Sequence, residues 1–347
     1  MCPTQHEIQS GLLSFYEREF PSRENTRILD LIRISDGWEN DVYSFAVEYE
    51  EATERKREDL ILRIYPGDDA PQKSVREFNA LKHLHEIGFP VPQVLLLESD
   101  SSYVGKPFVI MEKIDGRLMG TLFDESSGAK RQELLTLFCR MFVDLHRLDW
   151  KPFAPDLSLY GREDLSAFMH HKLSQTQEYI RSFRKNEFDP VFDWLRERSG
   201  SVRWERLSVV HWDYHPWNIL LRDDGAAFVI DWGGVEVLDF RFDLAWTLLL
   251  TSTYGHPEMR ERVLGEYERI AGHRVEQIEY FEVVAILRRL FSIAVSLSDG
   301  AGRLGMRPGA ETMIRQNTSH IQSVYTLLQD RTGITIQEIE GLLFTHR

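Results

Sequence analysis

The chain has 347 residues, of which 42% are hydrophobic and 28% are charged. This is the composition of a globular protein of about two domains, and it excludes a disordered, collagen-like or coiled-coil chain. A formal net charge of −14 repels phosphate backbones, so nucleic acid is not expected as a main partner.

The N-terminal third of the sequence predicts a small, mostly antiparallel sheet with one inserted helix. Apolar residues at helical spacing predict helices over 5–20 and 71–87. Runs rich in β-branched and aromatic residues predict strands over 28–34, 42–49, 60–65, 94–97 and 107–113. The charged stretch at 50–59 is interpreted as a solvated hairpin loop between two of these strands.

Beyond Asp115–Gly116 the pattern becomes mainly helical. Helical periodicity covers 129–148 and long stretches of 163–198 and 257–330. Three short β-like runs interrupt it, at 207–210, 219–222 and 226–230. The turn signal Asp223–Asp224–Gly225 lies between the last two runs and predicts a hairpin. We therefore predict an α+β protein with a small β-rich lobe, a connector and a larger helical lobe.

The cysteines and the apolar segments bear on the compartment. Cys2 and Cys139 are too few for a disulfide framework, so a reducing, cytoplasmic setting is expected. The apolar segment 281–297 carries Arg288 and Arg289 at its centre, so no association with a membrane is expected. The sequence leaves the oligomeric state open.

The densest polar cluster of the sequence is HWDYHPWNIL, which is followed shortly by VIDWGG. Asp213 follows an apolar strand, while Asn218 opens the predicted hairpin and Asp231 ends it. Because a hairpin folds back, Asn218 and Asp231 are expected to face each other. Carboxylate and amide oxygens suit Mg²⁺, and Asp213 could accept the proton of a hydroxyl group. These groups are the minimal set for phosphoryl transfer.

This segment resembles the aminoglycoside phosphotransferase and choline kinase-like family of the protein-kinase-like superfamily. That family has a catalytic loop H-x-D-x-x-x-x-N, then a hairpin and an I-D-W/F/Y element, and the sequence supplies each at the family's spacing. The resemblance implies Asp213 as catalytic base and Asn218 and Asp231 as metal ligands. It also implies that His211 is a structural residue and that Asp243 braces the catalytic loop.

The resemblance extends to the small lobe, where it implies a nucleotide site. Arg63 in LILRIY stands where the family has a Lys or Arg that pairs with the phosphates. Glu77 matches the helix carboxylate that holds this cation. The remaining implied contacts lie in the loop that covers the nucleotide and in the hinge that binds adenine through main-chain groups: Gly37, Asn40, Met111, Glu112 and Ile114.

The matches imply a bilobal protein-kinase-like fold. Its N-terminal nucleotide-binding lobe would comprise 1–110, its hinge 111–116, and its C-terminal catalytic and substrate-binding lobe 117–347. The implied reaction is ATP- and Mg²⁺-dependent transfer of the γ-phosphoryl group to a hydroxyl group of a small molecule. GTP is left open as an alternative donor.

The acceptor is not identified by any motif. Members of the family phosphorylate aminoglycosides, macrolides, choline and ethanolamine, homoserine and related sugars. Candidate substrate contacts in the helical lobe are Glu236, Asp239, Trp232, Tyr254 and Arg288. The tryptophans around the catalytic loop are interpreted mainly as core packing, with a cage for a quaternary ammonium group as the alternative.

Two other functions are weighed against a kinase. A non-catalytic nucleotide-binding protein on the same fold is disfavoured because the base and both metal ligands are present. A zinc hydrolase that uses His211, Asp213 and His215 would leave the hairpin with Asn218 and Asp231 unexplained.

Overall fold

The computed structural model describes residues 4–34, 40–67, 69–154, 164–304, 306 and 310–344. The chain divides into two compact units. The first runs to Arg117 and also takes in Ile219–Gly233, while the second takes Leu118–Asn218, Gly234–Leu304 and the helices after them. The sequence-based boundaries place 219–233 in the larger lobe, and that division into lobes stays a prediction.

The first unit is built on one antiparallel sheet. Its strands are β1 (Glu24–Arg33), β2 (Asp41–Glu51), β3 (Glu54–Ile64), β4 (Val94–Glu98) and β5 (Phe108–Glu112). They lie in the order β1-β2-β3-β5-β4. Two helices accompany them, α1 (Gln5–Glu19) and α2 (Ala70–Glu86). Each of these elements is one that the sequence predicts, with boundaries that shift by a few residues.

The predicted loop at 50–59 is wrong, because β2 and β3 run through it. The turn itself is Ala52–Thr53, whose φ angles of +50° and +71° are those that a tight two-residue hairpin needs. Charged side chains of the two strands form ion pairs with each other. In one of these pairs, Lys56 Nζ lies 2.7 Å from Glu51 Oε2. The charges therefore mark the solvent-facing positions of strands.

The apolar face of α1 packs on this sheet and forms the core of the first unit. The helix begins at a capping box, in which the backbone N–H of Glu7 donates to Thr4 Oγ1 and Thr4 N–H donates to Glu7. Phe15 meets Phe108 edge-on, with ring centroids 5.1 Å apart. The core also contains Ile8, Leu12, Tyr16, Phe45, Val47, Leu62 and Ile110.

A short strand and several helices follow the first sheet along the chain. They are β6 (Arg117–Leu118), α3 (Met119–Glu125), α4 (Gly128–Arg147), α5 (Asp164–Ser182) and α6 (Asp189–Ser199). The buried strand β7 (Leu207–Val210) leads into the polar cluster, and the hairpin β8 (Ile219–Leu221) and β9 (Ala227–Val229) follows it. The register of the hairpin pairs Ile219 with Val229.

The sequence does not predict the next strand, β10 (Glu236–Asp239), which pairs antiparallel with β7. The remaining helices are α7 (Phe240–Leu250), α8 (Met259–Ala271), α9 (Ile278–Val295), α10 (Ala310–Gln316), α11 (Thr318–Thr332) and α12 (Gln337–Phe344). Helix α9 is buried over most of its length and packs against α7 and α11, so it forms the centre of the second unit. Within the described residues, every helix is too short or too polar to span a lipid bilayer.

Candidate active site

The loop after β7 carries Asp213 and is held by a carboxylate from the first turn of α7. Asp243 is fully buried, and it accepts the backbone N–H groups of His211 at 2.6 Å and Trp212 at 2.8 Å. His211 is also fully buried, and its Nδ1 accepts the N–H of Asp213 at 3.2 Å. Both bracing residues therefore fix the main chain on either side of Trp212.

Trp212 takes a left-handed conformation, with φ of +65°, one residue before Asp213. Its carbonyl accepts a hydrogen bond from Arg288 Nη1 at 2.9 Å. The Arg288 guanidinium also lies over two indole rings, 4.6 Å from the centroid of Trp212 and 4.1 Å from that of Trp246. Arg288, a candidate for substrate contact, thus braces the catalytic loop in this structure.

The carboxylate of Asp213 is held on both oxygens. Trp246 Nε1 donates to Oδ1 at 3.2 Å, and Asn218 Nδ2 donates to Oδ2 at 3.1 Å. The side chain is nevertheless 44% exposed, and its Oδ2 lies 3.4 Å from His215 Nε2. Burial raises the pKa of Asp213, but His215, His211 and the Trp246 bond outweigh it and hold the pKa well below its usual range. Asp213 is therefore ionised and can accept a hydrogen bond from a hydroxyl group.

Asn218 is almost buried and uses its amide nitrogen inside the loop. Nδ2 donates to the Asp213 carbonyl at 2.9 Å and lies 3.3 Å from His215 Nε2. This leaves the amide oxygen for another partner. Because Ile219 pairs with Val229, the hairpin begins one residue after Asn218 and its last paired residue lies two before Asp231.

The first unit contains a second polar cluster around Arg63 of β3. Arg63 Nη1 lies 3.2 Å from Glu77 Oε1 of α2, and Nη2 donates to Asp231 Oδ1 at 2.5 Å. With its amide oxygen turned toward Arg63, Asn40 accepts from Nε at 3.1 Å and from Nη2 at 2.6 Å. Tyr65 donates to Glu77 Oε2 at 2.7 Å. The structure thus brings together four of the residues expected to serve the nucleotide and the metal.

Burial and charge oppose each other in this cluster. Burial raises the pKa of Glu77, and Arg63 offsets only part of that rise. Burial lowers the pKa of Arg63, but Asp231 and Glu77 outweigh it, so this pKa lies above its ordinary value. The Arg63 cation is therefore fixed between two carboxyl groups, of which Asp231 is 46% exposed and Glu77 is buried.

The other expected nucleotide contacts are only partly placed. Gly37 lies outside the described residues. At the end of β5, Met111 and Ile114 are buried. Glu112 N–H donates to the Gln93 carbonyl at 2.8 Å, so this N–H is not available to an adenine edge.

Two of the substrate candidates are structural. Asp239 is fully buried, caps α7 and pairs with the equally buried Arg241, whose Nη2 lies 2.7 Å from Oδ2. Trp232 is fully buried in the first unit, packs edge-on against Phe89, and donates to the Val229 carbonyl. Both side chains are committed to contacts inside the protein, so the structure does not place either of them as a substrate contact.

The remaining candidates lie in the second unit around the catalytic loop. Glu236 accepts Trp212 Nε1 at 3.0 Å and pairs with Lys172 at 2.6 Å. Tyr254 is 45% exposed and bonds to Arg289. The sequence interpretation missed the bond of Trp246 to Asp213, although Trp246 stands one helical turn after Asp243 and so shares its face of α7.

The zinc-hydrolase alternative lacks geometric support. In the part of the chain that the structure describes, no three His, Cys, Asp or Glu side chains are arranged to hold a metal ion. His211 is committed to the main chain of the loop, since its Nδ1 accepts from Asp213 N–H.

Comparison with curated proteins finds partial matches to much longer chains. The mouse acyl-CoA dehydrogenase family member 10 is 24% identical over 255 residues, which are 70% of this chain and 22% of that protein. The human acyl-CoA dehydrogenase family member 11 is 25% identical over 262 residues, which are 73% of this chain and 30% of that protein. The chain spans less than a third of the length of these relatives.

Solved structures share the fold at low identity. An ethanolamine kinase of Plasmodium vivax has a TM-score of 0.59 and 13% identity, with 90% of this chain and 84% of that chain covered. A mutant of aminoglycoside phosphotransferase APH(4)-Ia, in complex with ADP and hygromycin B, has a TM-score of 0.55 and 16% identity, with 88% and 98% covered. These likenesses confirm the α+β protein-kinase-like fold.

A family model for the phosphotransferase enzyme family matches residues 30–278, and the chain belongs to that family. The family resemblance inferred from the sequence is therefore confirmed. The description of this family is that of phosphotransferase enzymes.

Proposed function

We propose that the chain transfers the γ-phosphoryl group of ATP to the hydroxyl group of a small molecule, with Mg²⁺ as the metal. The observation that carries this proposal is the half-exposed carboxylate of Asp213, held by Trp246 and Asn218. A carboxylate fixed in this way orients a hydroxyl group through its hydrogen bond. The acceptor oxygen bonds to the γ-phosphorus, the bond to the β,γ-bridging oxygen breaks, Asp213 takes the proton and ADP leaves.

The cluster around Arg63 supports a nucleotide site in the first unit. Arg63 is always charged, and its planar fork presents several N–H donors that match phosphate oxygens. Glu77 and Asn40 hold this fork in place. We assign the donor phosphates to Arg63, and Ile114 of the hinge to the adenine edge.

Two side-chain oxygens are proposed as ligands for a magnesium ion. Arg63 engages Asp231 Oδ1, so Oδ2 of this half-exposed carboxylate remains for a cation. Asn218 uses its nitrogen on Asp213, so its oxygen also remains. Both are the hard oxygen ligands that Mg²⁺ takes in proteins. When bound, the ion would neutralise charge on the phosphate oxygens.

The donor nucleotide and the acceptor need separate tests. Among the structural neighbours, one complex holds ADP and another, of APH(2")-IIia, holds GDP and kanamycin, so we test GTP beside ATP. The curated relatives are named as acyl-CoA dehydrogenases, although the match covers a small part of them. For this reason a hydroxylated acyl thioester joins the aminoglycosides, macrolides, amino alcohols, amino acids and sugars as an acceptor class to test.

The test is a coupled ADP-release assay with Mg²⁺ across these acceptor classes, with the phosphorylated product identified by mass spectrometry. We expect at least one class to be phosphorylated in step with ADP release. Asp213→Asn should then lower kcat at least about 10²-fold, because the hydroxyl group loses the carboxylate that orients it and takes its proton.

Asp223→Asn is the matched control, since Asp223 lies on the exposed turn of the hairpin and should leave kcat unchanged. Full activity of Asp213→Asn would refute the role of Asp213. Binding of ADP without phosphorylation of any acceptor would favour the non-catalytic nucleotide-binding alternative.

A further inference from the structure

The second unit contains a cavity of about 570 Å³ whose wall is mostly apolar. It lies among α3, α4, the end of α7 and the start of α8. Phe123, Leu135, Phe138, Leu250 and Val263 line it, together with the half-exposed ring of Trp217. A cavity of this size and lining holds a small organic molecule with an apolar body.

This cavity lies next to the proposed base. His215 lines it, and His215 Nε2 is 3.4 Å from Asp213 Oδ2. Tyr254 lines the cavity as well. The cavity wall therefore includes His215, the residue that contacts the Asp213 carboxylate.

The charges on the wall favour an anion over a polycation. Arg131 lines the cavity, and its Nε–H is buried without a hydrogen-bond partner in the described part of the chain. A buried donor of this kind is costly until an acceptor reaches it. Among the described residues of the wall, Asp124 supplies the only carboxylate. An aminoglycoside carries several ammonium groups, and this wall offers few acidic side chains to pair with them once they are removed from water.

We infer that this cavity is the acceptor site, and that the acceptor has an apolar chain and an anionic group that pairs with Arg131. This inference rests on the proposed function, because it names the class of hydroxyl compound that Asp213 orients. The anionic group is a carboxylate of a hydroxy acid or a phosphate of its thioester carrier.

The test measures binding to the full chain by calorimetry in the absence of nucleotide, so that it is independent of phosphoryl transfer. The probes are ω-hydroxybutanoate, ω-hydroxyoctanoate, the coenzyme A thioester of ω-hydroxyoctanoate, octanediol and kanamycin. We expect ω-hydroxyoctanoate to bind at least about tenfold more tightly than octanediol, because only the acid offers a charged acceptor to Arg131. Affinity should rise from butanoate to octanoate by up to about fourfold per methylene group.

Two variants and one control locate the effect. Arg131→Gln should remove the advantage of the acid over the diol, whereas Lys130→Gln, at an exposed neighbour outside the cavity, should not. Met259→Trp, which fills the cavity from a partly exposed position, should remove the dependence on chain length. The coenzyme A thioester distinguishes the two sources of the anion. If the thioester binds more tightly than the free acid, and Arg131→Gln weakens its binding, the group that pairs with Arg131 is a phosphate of the carrier.

The inference is overturned if kanamycin binds more tightly than every anionic probe, or if Arg131→Gln leaves the affinity of both the acid and the thioester unchanged. Phosphorylation is measured separately with Mg²⁺ and ATP. Probe binding that depends on Arg131, without phosphorylation of any acceptor, would support the cavity assignment and refute the proposed reaction. Phosphorylation of kanamycin or a sugar, without binding of the acids, would refute the cavity assignment and keep the reaction.

Discussion

Two side chains that do not touch a reacting group fix the backbone before Asp213. Asp243 accepts two N–H groups of the loop, and Arg288 donates to the carbonyl of Trp212. Trp212 has a left-handed φ, which costs a residue with a side chain on the order of 1 kcal/mol. The loop is therefore held by its neighbours in a conformation that it would not keep alone, and this directs Asp213.

Replacement of Arg63 in the first unit should lower the stability of the fold strongly. Arg63→Gln leaves the buried Glu77 without its cation, so we expect the free energy of unfolding to fall by about 3–5 kcal/mol. Arg63→Lys keeps the charge but loses the planar guanidinium that contacts Glu77, Asp231 and Asn40. We therefore expect the free energy of unfolding to fall by about 1–3 kcal/mol. Urea unfolding followed by circular dichroism measures both values.

The control for Arg63 is Arg57→Gln on the same strand. Arg57 pairs with Asp30 and Asp59 at an exposed position, so its loss should cost less than about 1 kcal/mol. Equal costs for Arg57→Gln and Arg63→Gln would contradict a buried ion pair at Arg63.

Single residues show what the sequence can and cannot predict about the site. Asp213, Asn218 and Asp231 stand at a spacing typical of a loop followed by a hairpin, so the pattern alone is enough to propose them as site residues. Asp239 looks equally polar in the sequence, but its partner Arg241 is buried with it. Whether a carboxylate faces solvent or a buried guanidinium depends on tertiary packing, which no local pattern records.

At the scale of elements, the β2–β3 hairpin is predicted less well from the sequence than the rest of the first unit. Apolar periodicity predicts α1 and α2 well because each buries one face. The hairpin reaches beyond the sheet core, where both faces are charged, and so its end looks like a loop in the sequence. Strand β10 is missed for a different reason, because its partner β7 lies 26 or more residues earlier in the chain.

The docking of α11 on α9 should make the protein sensitive to acid. His320 of α11 stacks on Tyr254 with ring centroids 3.8 Å apart, and its Nε2 accepts from Arg289 of α9 at 2.9 Å. Burial, helped by Arg289, lowers the pKa of His320 to about 3. Below about pH 6.5 the imidazole of His320 binds a proton in the unfolded chain but not in the folded chain. The free energy of unfolding therefore decreases as the pH is lowered.

The contribution of His320 should be a loss of up to about 1.4 kcal/mol per pH unit between about pH 6.5 and pH 3. His320→Phe keeps a ring on Tyr254 and cannot be protonated, so this part of the slope should vanish in unfolding measured at several pH values. His85→Gln, at an exposed position in α2, should leave the slope as it is. An unchanged slope in His320→Phe would show that His320 is not held neutral.

For the whole molecule, the grouping of Ile219–Gly233 with the first unit makes a prediction for hydrogen exchange. Asp231 belongs to the cluster of Arg63 and Glu77. A nucleotide bound at this cluster should therefore protect backbone amides near Asp231 from exchange, as well as amides of the N-terminal residues. We expect ADP with Mg²⁺ to slow amide exchange in β3, in α2 and in residues 219–233 together. Exchange measured by mass spectrometry with and without ADP tests this.

The contrasting region for this experiment is α11, which belongs to the second unit. Its amides should exchange at the same rate with and without ADP. Protection confined to residues before Arg117 would mean that Asp231 does not act with Arg63 in nucleotide binding.

The path of the chain also limits how this protein can be divided. A fragment that ends at Arg117 would contain Arg63 and Glu77 but would lack Asp231, which arrives more than a hundred residues later. The remaining fragment would carry the hairpin without the sheet that it belongs with. We therefore expect that neither half can be exchanged with that of a relative as an independent module, and that recombination between relatives succeeds only when residues 219–233 travel with the N-terminal part.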